Sequence, residues 1–253
     1  MISSKQNPLI KAAKKLTSRK GRRQAQAYLI EGPHLLEMAV QSQQLIKLIL
    51  VTAAAQRSLP DNLDISAYTV EEISPDLADY LSQTPTTQAV FAVVAMKTPQ
   101  PIFDQAPLLI LDQVQDPGNV GTLIRTAAAF NYGGLVLGKG SVDLYNEKTL
   151  RSAQGSHFYL NCYQADLDEL LPQLQAQGYQ LVASNLDDHA TSINDLNLDQ
   201  AWAIILGNEG QGVSQDFIDM ADSQAYIPMG PGAESLNVAV AGGIFMQHFN
   251  NLD

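Results

Sequence analysis

A glycine-rich turn near the C-terminus, Gly207–Gly212, could bind a ligand through its peptide groups. Its glycines stand at the first, fourth and sixth positions and no Lys-Ser or Lys-Thr pair follows, so a phosphate-binding loop is not indicated. Glycines permit either close approach of the backbone to a ligand or a positive φ. Glu209 lies inside this turn and could orient a polar group or only cap the local backbone.

A second turn, Gly230–Gly232, is followed by two hydrogen-bonding side chains, Ser235 and Asn237. Either could cap the helix that begins there, and together they could orient a hydroxyl group of a ligand. The four histidines are scattered singly, without the spacing of a metal site, and no Gly-x-Ser-x-Gly elbow occurs. The two turns therefore indicate a pocket made mostly of backbone.

A third turn opens a helix, with Asn119 in the turn and Arg125 in the second turn of the helix. Asn119 is a candidate N-cap. Arg125 stands on an apolar helix, where an unpaired guanidinium is costly to bury, so we expect a partner for it. A carboxylate could be that partner, and a phosphate fits as well because the guanidinium fork matches phosphate oxygens in pairs.

Each turn follows a short apolar run that predicts a buried strand: Leu108–Val114, Trp202–Leu206 and Ala225–Met229. Helical segments are predicted after them, at 120–130, 213–221 and 236–249. Strands that alternate with helices predict a parallel α/β sheet covered by helices. Ligands bind such sheets at the carboxyl ends of the strands, where these turns lie.

The same alternation of helices and strands, on a smaller scale, precedes a proline-flanked segment, and the pattern restarts after it. We therefore predict an N-terminal α/β domain at 1–97, a linker at 98–106 and a C-terminal α/β domain at 107–253.

Several classes of protein are disfavoured by composition. No run of about 18 apolar residues occurs, so no membrane span is expected, and the N-terminus lacks the apolar stretch of a secretory signal. The single cysteine, Cys162, excludes an intrachain disulfide and a cysteine-clustered metal site. We expect a cytoplasmic protein without a metal.

The charge is divided unevenly along the chain. The net charge is −11, yet residues 1–50 contain nine Lys/Arg and only two acids. Eight of these bases lie between residues 5 and 23, which favours contact with nucleic-acid phosphates over a merely solvated helix face. The candidate RNA contacts are Lys5, Lys11, Lys14, Lys15, Arg19, Arg22 and Arg23. Residues 18–26 are predicted to be a basic, glycine-containing connection.

Three motifs together resemble the SpoU (TrmH-like) ribose methyltransferases of the SPOUT class. They are Asp112–Gly121 with Arg125, then Leu206–Gly212, then Ile227–Met229 with Ser235–Ala241. The resemblance covers roughly residues 105–253. The N-terminal part, with Ile2-Ser3-Ser4, Asn7-Pro8 and Ile30-Glu31-Gly32, is similar to the ribosomal-protein-like α/β substrate-binding domain of the rRNA-directed members.

This resemblance implies transfer of a methyl group from S-adenosylmethionine to a ribose 2′-hydroxyl in RNA, by a homodimer whose C-terminal domain is a trefoil knot. The positions that match the donor contacts are Gly207, Ile227 and Leu236, with Leu206 and Met229 beside them. The implied catalytic group comprises Arg125, Asn119, Glu209, Ser235 and Asn237.

The substrate remains open at this point, although the separate N-terminal domain favours 23S rRNA. A tRNA ribose methyltransferase with the same catalytic domain is one alternative, and a non-catalytic RNA-binding or ribosome-assembly factor is another. One departure from the family pattern is Gln154, where relatives often have a small residue, and Arg151 nearby could be a further RNA contact.

Overall fold

The computed structural model describes residues 1–97, 104–187, 189–198 and 201–250. The chain forms two compact units: unit 1 consists of Met1–Thr98 and Tyr145–Phe158, and unit 2 of Pro99–Leu144 and Tyr159–Asp253. The segment Tyr145–Phe158, which the sequence analysis assigns to the C-terminal domain, therefore belongs to unit 1. Residues 98–103 of the predicted linker lie outside the described residues.

Unit 1 is built around a four-stranded sheet. Its elements are α1 (Pro8–Lys15), α2 (Arg19–Ala25), β1 (Ala27–Glu31), α3 (Pro33–Gln41), β2 (Ile46–Val51), α4 (Ala53–Arg57), β3 (Val70–Glu72), α5 (Pro75–Leu81), β4 (Val90–Ala95) and α7 (Glu147–Ala153). The strand order is β1-β4-β2-β3, with β4 antiparallel to both β1 and β2 and with β3 parallel to β2. Alternate residues of β1 point to opposite faces, so Tyr28 and Ile30 enter one apolar core and Leu29 enters the other.

The predicted basic connection at residues 18–26 is wrong, because Arg19–Ala25 is the helix α2. The Ser18 side chain caps it by accepting a hydrogen bond from the amide of Gly21. Arg22 is buried on this helix, and its Nη1 donates to the carbonyls of Leu16 and Thr17 at 3.0 and 3.2 Å. These carbonyls belong to the C-terminal end of α1, where helix carbonyls lack intrahelical partners and a cation is favoured.

The segment Tyr145–Phe158 completes the core of unit 1. Leu150 and Phe158 are buried in the same apolar cluster as Tyr28 and Ile30, and the Lys97 ammonium donates to the Phe158 carbonyl at 3.0 Å. The hydroxyl of Tyr28 and Nε2 of His157 share a hydrogen bond of 3.3 Å. Burial, reinforced by the nearby charge of Lys97, lowers the pKa of His157 to about 3, so its imidazole packs in the neutral form.

Unit 2 is a seven-stranded sheet with helices. Its elements are β5 (Leu108–Leu111), α6 (Pro117–Ala129), β6 (Gly134–Leu137), β7 (Asn161–Gln164), α8 (Leu167–Ala176), β8 (Gln180–Ser184), β9 (Thr191–Ser192), β10 (Trp202–Leu206), α9 (Gln215–Met220), β11 (Ser223–Tyr226) and α10 (Val238–His248).

All neighbouring strands in the sheet of unit 2 are parallel, in the order β7-β6-β5-β10-β8-β11-β9. The central strands β5, β6 and β10 are buried along their whole length, as expected of a parallel sheet covered on both faces. Because the strands are parallel, their carboxyl ends lie at one edge, and the loops that follow β5, β6, β8, β10 and β11 meet there. The predicted parallel α/β fold is therefore confirmed.

Strand β11 ends earlier than predicted, at Tyr226, and the helix α10 begins later, at Val238. The segment between them is loop, with Pro228 and Pro231 lacking the N–H that pairing would need. Among the described helices, none has the length and apolar character needed to cross a bilayer.

Candidate functional site

A cavity of about 450 Å³ lies at the carboxyl edge of the sheet in unit 2. Its walls come from three loops and from the first turns of α10. The end of β8 and the loop after it contribute 184–186, and the end of β10 and the loop after it contribute 206–210 and 212. The end of β11, the loop after it and the start of α10 contribute 226, 227, 229 and 234–238. Cavities of about 300–1,000 Å³ with mixed apolar and polar walls are typical small-molecule sites.

The loop after β10 is closed on itself so tightly that its first residue must be glycine. A Cβ atom on Gly207 would lie 1.9 Å from the carbonyl carbon of Gly212 and 2.0 Å from the nitrogen of Val213. Gly212 itself has a φ of +72°, which favours glycine. The sequence analysis left open whether these glycines serve a ligand or the backbone. At both positions the requirement comes from the loop's own backbone.

Asn208 organises the inside of this loop, a role that the sequence analysis missed. Its backbone exchanges two hydrogen bonds of 2.9 Å with Gly212, and its side-chain Oδ1 accepts from the amides of Gly210 and Gln211. Its Nδ2 donates to the carbonyl of Gln113 at 2.9 Å, which ties the loop after β10 to the loop after β5.

A buried carboxylate, Asp112, holds the far end of the same loop. Its Oδ2 accepts hydrogen bonds from the backbone amide and the hydroxyl of Ser214, at 2.8 and 2.6 Å, and its own amide donates to the Leu206 carbonyl at 2.8 Å. Asp112 is only 2% exposed, so these donors replace the water that the carboxylate loses. The polar residue directly after a fully apolar strand was the signal that could have identified it.

The side chain of Asn119 connects the three motifs. It is not the N-cap of α6, as the sequence had suggested. The N-cap of α6 is Asp116, whose side chain accepts from the Asn119 amide at 2.9 Å. This leaves the side chain of Asn119 free of capping: its Nδ2 donates to Oε1 of Glu209, and its Oδ1 accepts from Nδ2 of Asn237, both at 3.0 Å. Asn237 caps α10 as predicted, because its Oδ1 accepts from the amides of Ala239 and Val240.

Glu209 is held as a carboxylate by the donors around it. Partial burial acts to raise the pKa of its carboxyl group, but the hydrogen bonds from Asn119 and from backbone amides, including those of Asp116 and Gln115, together lower that pKa below the usual glutamate value. The ionised Glu209 therefore fixes the turn before α6. Because its pKa is low, it is a poor general base near neutral pH.

Ser235 and Arg125 lie outside this hydrogen-bonded group. Ser235 lines the cavity and is exposed. Arg125 is also exposed, so the expectation that it is buried on an apolar helix is wrong, whereas a phosphate as its partner stays a prediction. The helix buries Leu123, Ile124 and Ala127 on its other side. Arg125 does not line the cavity, and no partner is found for it among the described residues.

The five positions predicted to contact the donor all line the one cavity: Leu206, Gly207, Ile227, Met229 and Leu236. A further wall, which the sequence did not indicate, is formed by Ser184 at the end of β8 and by Asn185 and Leu186 after it. This loop lacks the glycine signal that marked the other two. Within the described part of the chain, no group of three or more His, Cys, Asp or Glu residues could hold a metal ion.

Some of the candidate RNA contacts of unit 1 are exposed, and others are buried or half-buried and bind protein groups. Five are exposed, namely Lys5, Lys11, Lys15, Arg19 and Arg23. Arg22 is instead buried at the end of α1, so we assign it a structural role. Lys14 is half-buried and donates to the Tyr80 carbonyl, and the ammonium groups of Lys14 and Lys5 lie 4.6 and 4.7 Å from the centroid of the Tyr80 ring.

The parallel sheet and the cavity at its carboxyl edge define an α/β ligand-binding protein. Residues 106–247 match the SpoU rRNA Methylase family, and residues 7–92 match the MRM3-like substrate binding domain. Because the first match spans more than half of the chain, the chain belongs to the SpoU rRNA methylase family, and the resemblance stated from the three motifs is confirmed.

Similarity to individual proteins extends over nearly the whole chain. The 23S rRNA (guanosine(2553)-2′-O)-methyltransferase RlmP of Bacillus subtilis (strain 168) is 38% identical over 249 residues, 98% of this chain and 98% of that protein. An AdoMet-bound rRNA methyltransferase from Sinorhizobium meliloti has a TM-score of 0.86 at 26% identity, over 98% of this chain and 95% of that one. A TrmH/SpoU tRNA modifying enzyme from A. aeolicus, 27% identical, covers 57% of this chain and 74% of that one, with a TM-score of 0.52.

Proposed function

We propose that this protein transfers a methyl group from S-adenosylmethionine to a ribose 2′-hydroxyl of 23S rRNA. The observation that carries the proposal is that two of the SpoU motifs line one cavity and that Asn119 of the third is hydrogen-bonded to Glu209 and Asn237 of those two. The chain also matches an rRNA 2′-O-methyltransferase over 98% of its length. The similarity to a tRNA modifying enzyme covers little more than half of the chain, which favours rRNA over tRNA.

The cavity fits a nucleoside-sized donor. Leu206, Ile227, Met229 and Leu236 supply apolar wall for a base, and Ser184 supplies a hydroxyl at the opposite loop. When bound, the donor supplies an electrophilic methyl group on a sulfonium. The protein holds that methyl group in line with the ribose oxygen. Positioning of two reactants in this way can supply much of the rate acceleration of a bimolecular group transfer.

The hydrogen-bonded group around Asn119 orients the loops that would hold donor and ribose. Glu209 and Asn237 lie in two different loops and Asn119 in the first turn of α6, so each hydrogen bond fixes the position of one loop against this helix. The Ser235 hydroxyl, which lines the cavity, orients the ribose. Such a complete set of polar contacts favours an enzyme over a non-catalytic assembly factor on the same fold.

Arg125 is proposed to bind the phosphate of the target nucleotide and to polarise its 2′-hydroxyl. It does not act as a base, because a guanidinium with a pKa above about 12 keeps its proton. Since Arg125 is exposed and lies outside the cavity of its own chain, we propose that it acts within a homodimer, where it can reach the partner's cavity. Val240 on α10, 51% exposed, supplies apolar surface for the same dimer.

We further propose that the C-terminal domain is a trefoil knot and that the enzyme works in the cytoplasm, on rRNA held by unit 1. Membership of the SpoU family supports the knot. The helix α10 packs closely on the sheet and on α6, since a Cβ atom on Gly242 would lie 2.4 Å from Leu123 and 2.7 Å from Leu206. The exposed lysines and arginines of α1 and α2 support the role of unit 1, because phosphate contacts dominate the affinity of RNA-binding proteins.

The proposal is tested with purified protein, 23S rRNA and isotopically labelled donor. A 2′-O-methyl group removes the nucleophile of alkaline cleavage, so the labelled product must appear as an alkali-resistant dinucleotide. The same site must lose its methyl group in rRNA from cells that lack the gene. A label on a base, or alkali-resistant label from tRNA with none from rRNA, contradicts the proposal.

A further inference from the structure

Unit 2 has an unusual shortage of positive charge for a unit that must approach RNA. By sequence it contains two Lys/Arg residues, Arg125 and Lys139, against seventeen Asp/Glu. RNA phosphates are repelled by such a surface except where a cation is placed, and the repulsion acts over about 8–10 Å at physiological salt. Each of the two cations therefore has a large influence on how RNA can meet this unit.

Lys139 lies at the edge of the sheet that carries the cavity. It follows β6, which pairs in parallel with β5, so its turn stands beside the loop that leads from β5 to Asn119. The Gly138 amide and the Ser141 hydroxyl donate to the Leu111 carbonyl at 2.8 and 3.1 Å. The Val114 amide donates to the Ser141 hydroxyl at 3.2 Å, and these bonds fix the turn to the loop.

The turn is also packed closely against that loop. Gly140 has a φ of +92°, and a Cβ atom there would lie 2.9 Å from Cγ of Gln113. The Val142 amide donates to the Val114 carbonyl at 3.0 Å, so the turn is held on both sides of Lys139. The lysine itself is exposed, and within the described ranges it has neither an ion-pair partner nor a hydrogen-bond partner. A rigid turn thus carries a cation that no protein group neutralises.

We propose that Lys139 is an RNA-backbone contact of unit 2, binding a phosphate of the strand that enters the cavity. The inference rests on the proposed function and adds a residue that none of the three motifs contains. A lysine on a turn that is fixed to the loop between β5 and Asn119 offers the incoming strand one of the two cations that unit 2 contains. Lysine suits this task because it binds phosphate as a point charge without demanding a particular orientation.

The test compares Lys139→Gln and Lys139→Arg with Arg57→Gln, which removes one exposed charge from unit 1 at the end of α4. Binding of a 23S rRNA fragment is measured against salt concentration, together with KM and kcat, donor affinity and the melting temperature. We expect Lys139→Gln to weaken RNA binding about five-fold at 0.1 M salt and to reduce the slope of log K against log salt by about one. Lys139→Arg should remain near wild type.

The loss should appear in KM for RNA, with kcat, donor affinity and melting temperature unchanged, because a phosphate contact is made before and during transfer alike. The inference is overturned if Lys139→Gln has the RNA affinity and salt slope of wild type, if Arg57→Gln loses as much, or if donor affinity or melting temperature falls with it. If wild type methylates rRNA while Lys139→Gln is unaffected, only this inference fails. If wild type neither binds nor methylates rRNA, the proposed function fails as well.

Discussion

Nδ2 of Asn119 lies 3.0 Å from Oε1 of Glu209 and donates to it, although the two residues are 90 positions apart in the chain. Replacement of Asn119 by Ala removes this bond and the one from Asn237, and leaves the Glu209 carboxylate with one donor fewer. We expect kcat to fall by about 10- to 100-fold, the range for loss of a hydrogen bond to a charged group. Steady-state kinetics with a 23S rRNA fragment measures this.

The isosteric replacement Asn119→Asp sharpens this test. It keeps an acceptor for Asn237 but sets a carboxylate against that of Glu209, so we expect a loss at least as large as for Asn119→Ala. Activity of Asn119→Asp close to wild type would mean that the bond to Glu209 is not needed for turnover.

Glu209 should make stability depend on pH in the acid range. The pKa of Glu209 in the folded protein lies below its value in the unfolded chain, so the folded state binds fewer protons. The stabilisation that the ionised carboxylate contributes is therefore complete above the unfolded-state pKa and is lost as the pH falls through the folded-state pKa. Glu209→Gln should therefore lower the melting temperature at neutral pH, and the difference from wild type should shrink as the pH falls below the ordinary pKa of a glutamate. Asn119→Ala removes one donor to Glu209, so the pH-dependent loss of melting temperature should be smaller in this variant than in Glu209→Gln. A difference independent of pH would contradict this account.

Arg125 should tolerate neither lysine nor alanine in catalysis, while both variants should fold normally because the side chain is exposed. A lysine cannot make the paired contact of a guanidinium with phosphate, so we expect Arg125→Lys to lower kcat/KM for RNA by about ten-fold or more. Donor affinity, measured by calorimetry, should be unchanged. Full activity of Arg125→Lys would rule out two-point phosphate binding.

Gly207 and Gly210 provide a matched pair of glycines in one loop. A Cβ atom on Gly207 would lie 1.9 Å from the carbonyl carbon of Gly212, whereas a Cβ atom on Gly210 would make an ordinary contact of 3.6 Å with Oδ1 of Asn208. Gly207→Ala must therefore displace the loop, and we expect loss of donor binding and a lower melting temperature. Gly210→Ala should keep both. Equal donor affinity in the two variants would show that closure of the loop does not shape the cavity.

Phe158 and Tyr159 form a second matched pair, adjacent in sequence but 4% and 59% exposed. Phe158 is part of the core of unit 1, so Phe158→Ala should destabilise that unit by about 3–5 kcal/mol, as for other buried aromatic residues. Tyr159→Ala should have little effect. Denaturant unfolding followed by circular dichroism measures both, and similar midpoints would mean that the segment Tyr145–Phe158 does not support unit 1.

The sequence predicts most of the site because the site is marked locally. Apolar runs that end at glycine identify the strands and their turns, and parallel strands bring such turns to one edge. The role of Asn119 is different, since Asp116 three residues earlier competes for the cap. Only the arrangement of three distant loops shows that the Asn119 side chain is left to bind Glu209 and Asn237.

Two other differences have tertiary causes. Residues 19–25 are rich in bases and contain Gly21, so their pattern favours a connection, but burial of Arg22 against the end of α1 stabilises a helix. The membership of Tyr145–Phe158 in unit 1 follows from which core Leu150 and Phe158 enter, and nothing in the order of predicted strands and helices indicates it.

Unit 1 is assembled from two stretches of chain that are separated by the strands β5 and β6. A polypeptide leaves the ribosome from its N-terminus, so residues 1–97 emerge well before Leu150 and Phe158, which complete their core. Until Phe158 has been synthesised, the sheet of unit 1 keeps apolar surface exposed to solvent. Its maturation is thereby timed to the emergence of β5 and β6, the first two of the seven strands in unit 2, and truncation before Phe158 should leave an aggregation-prone product instead of an independently folded unit.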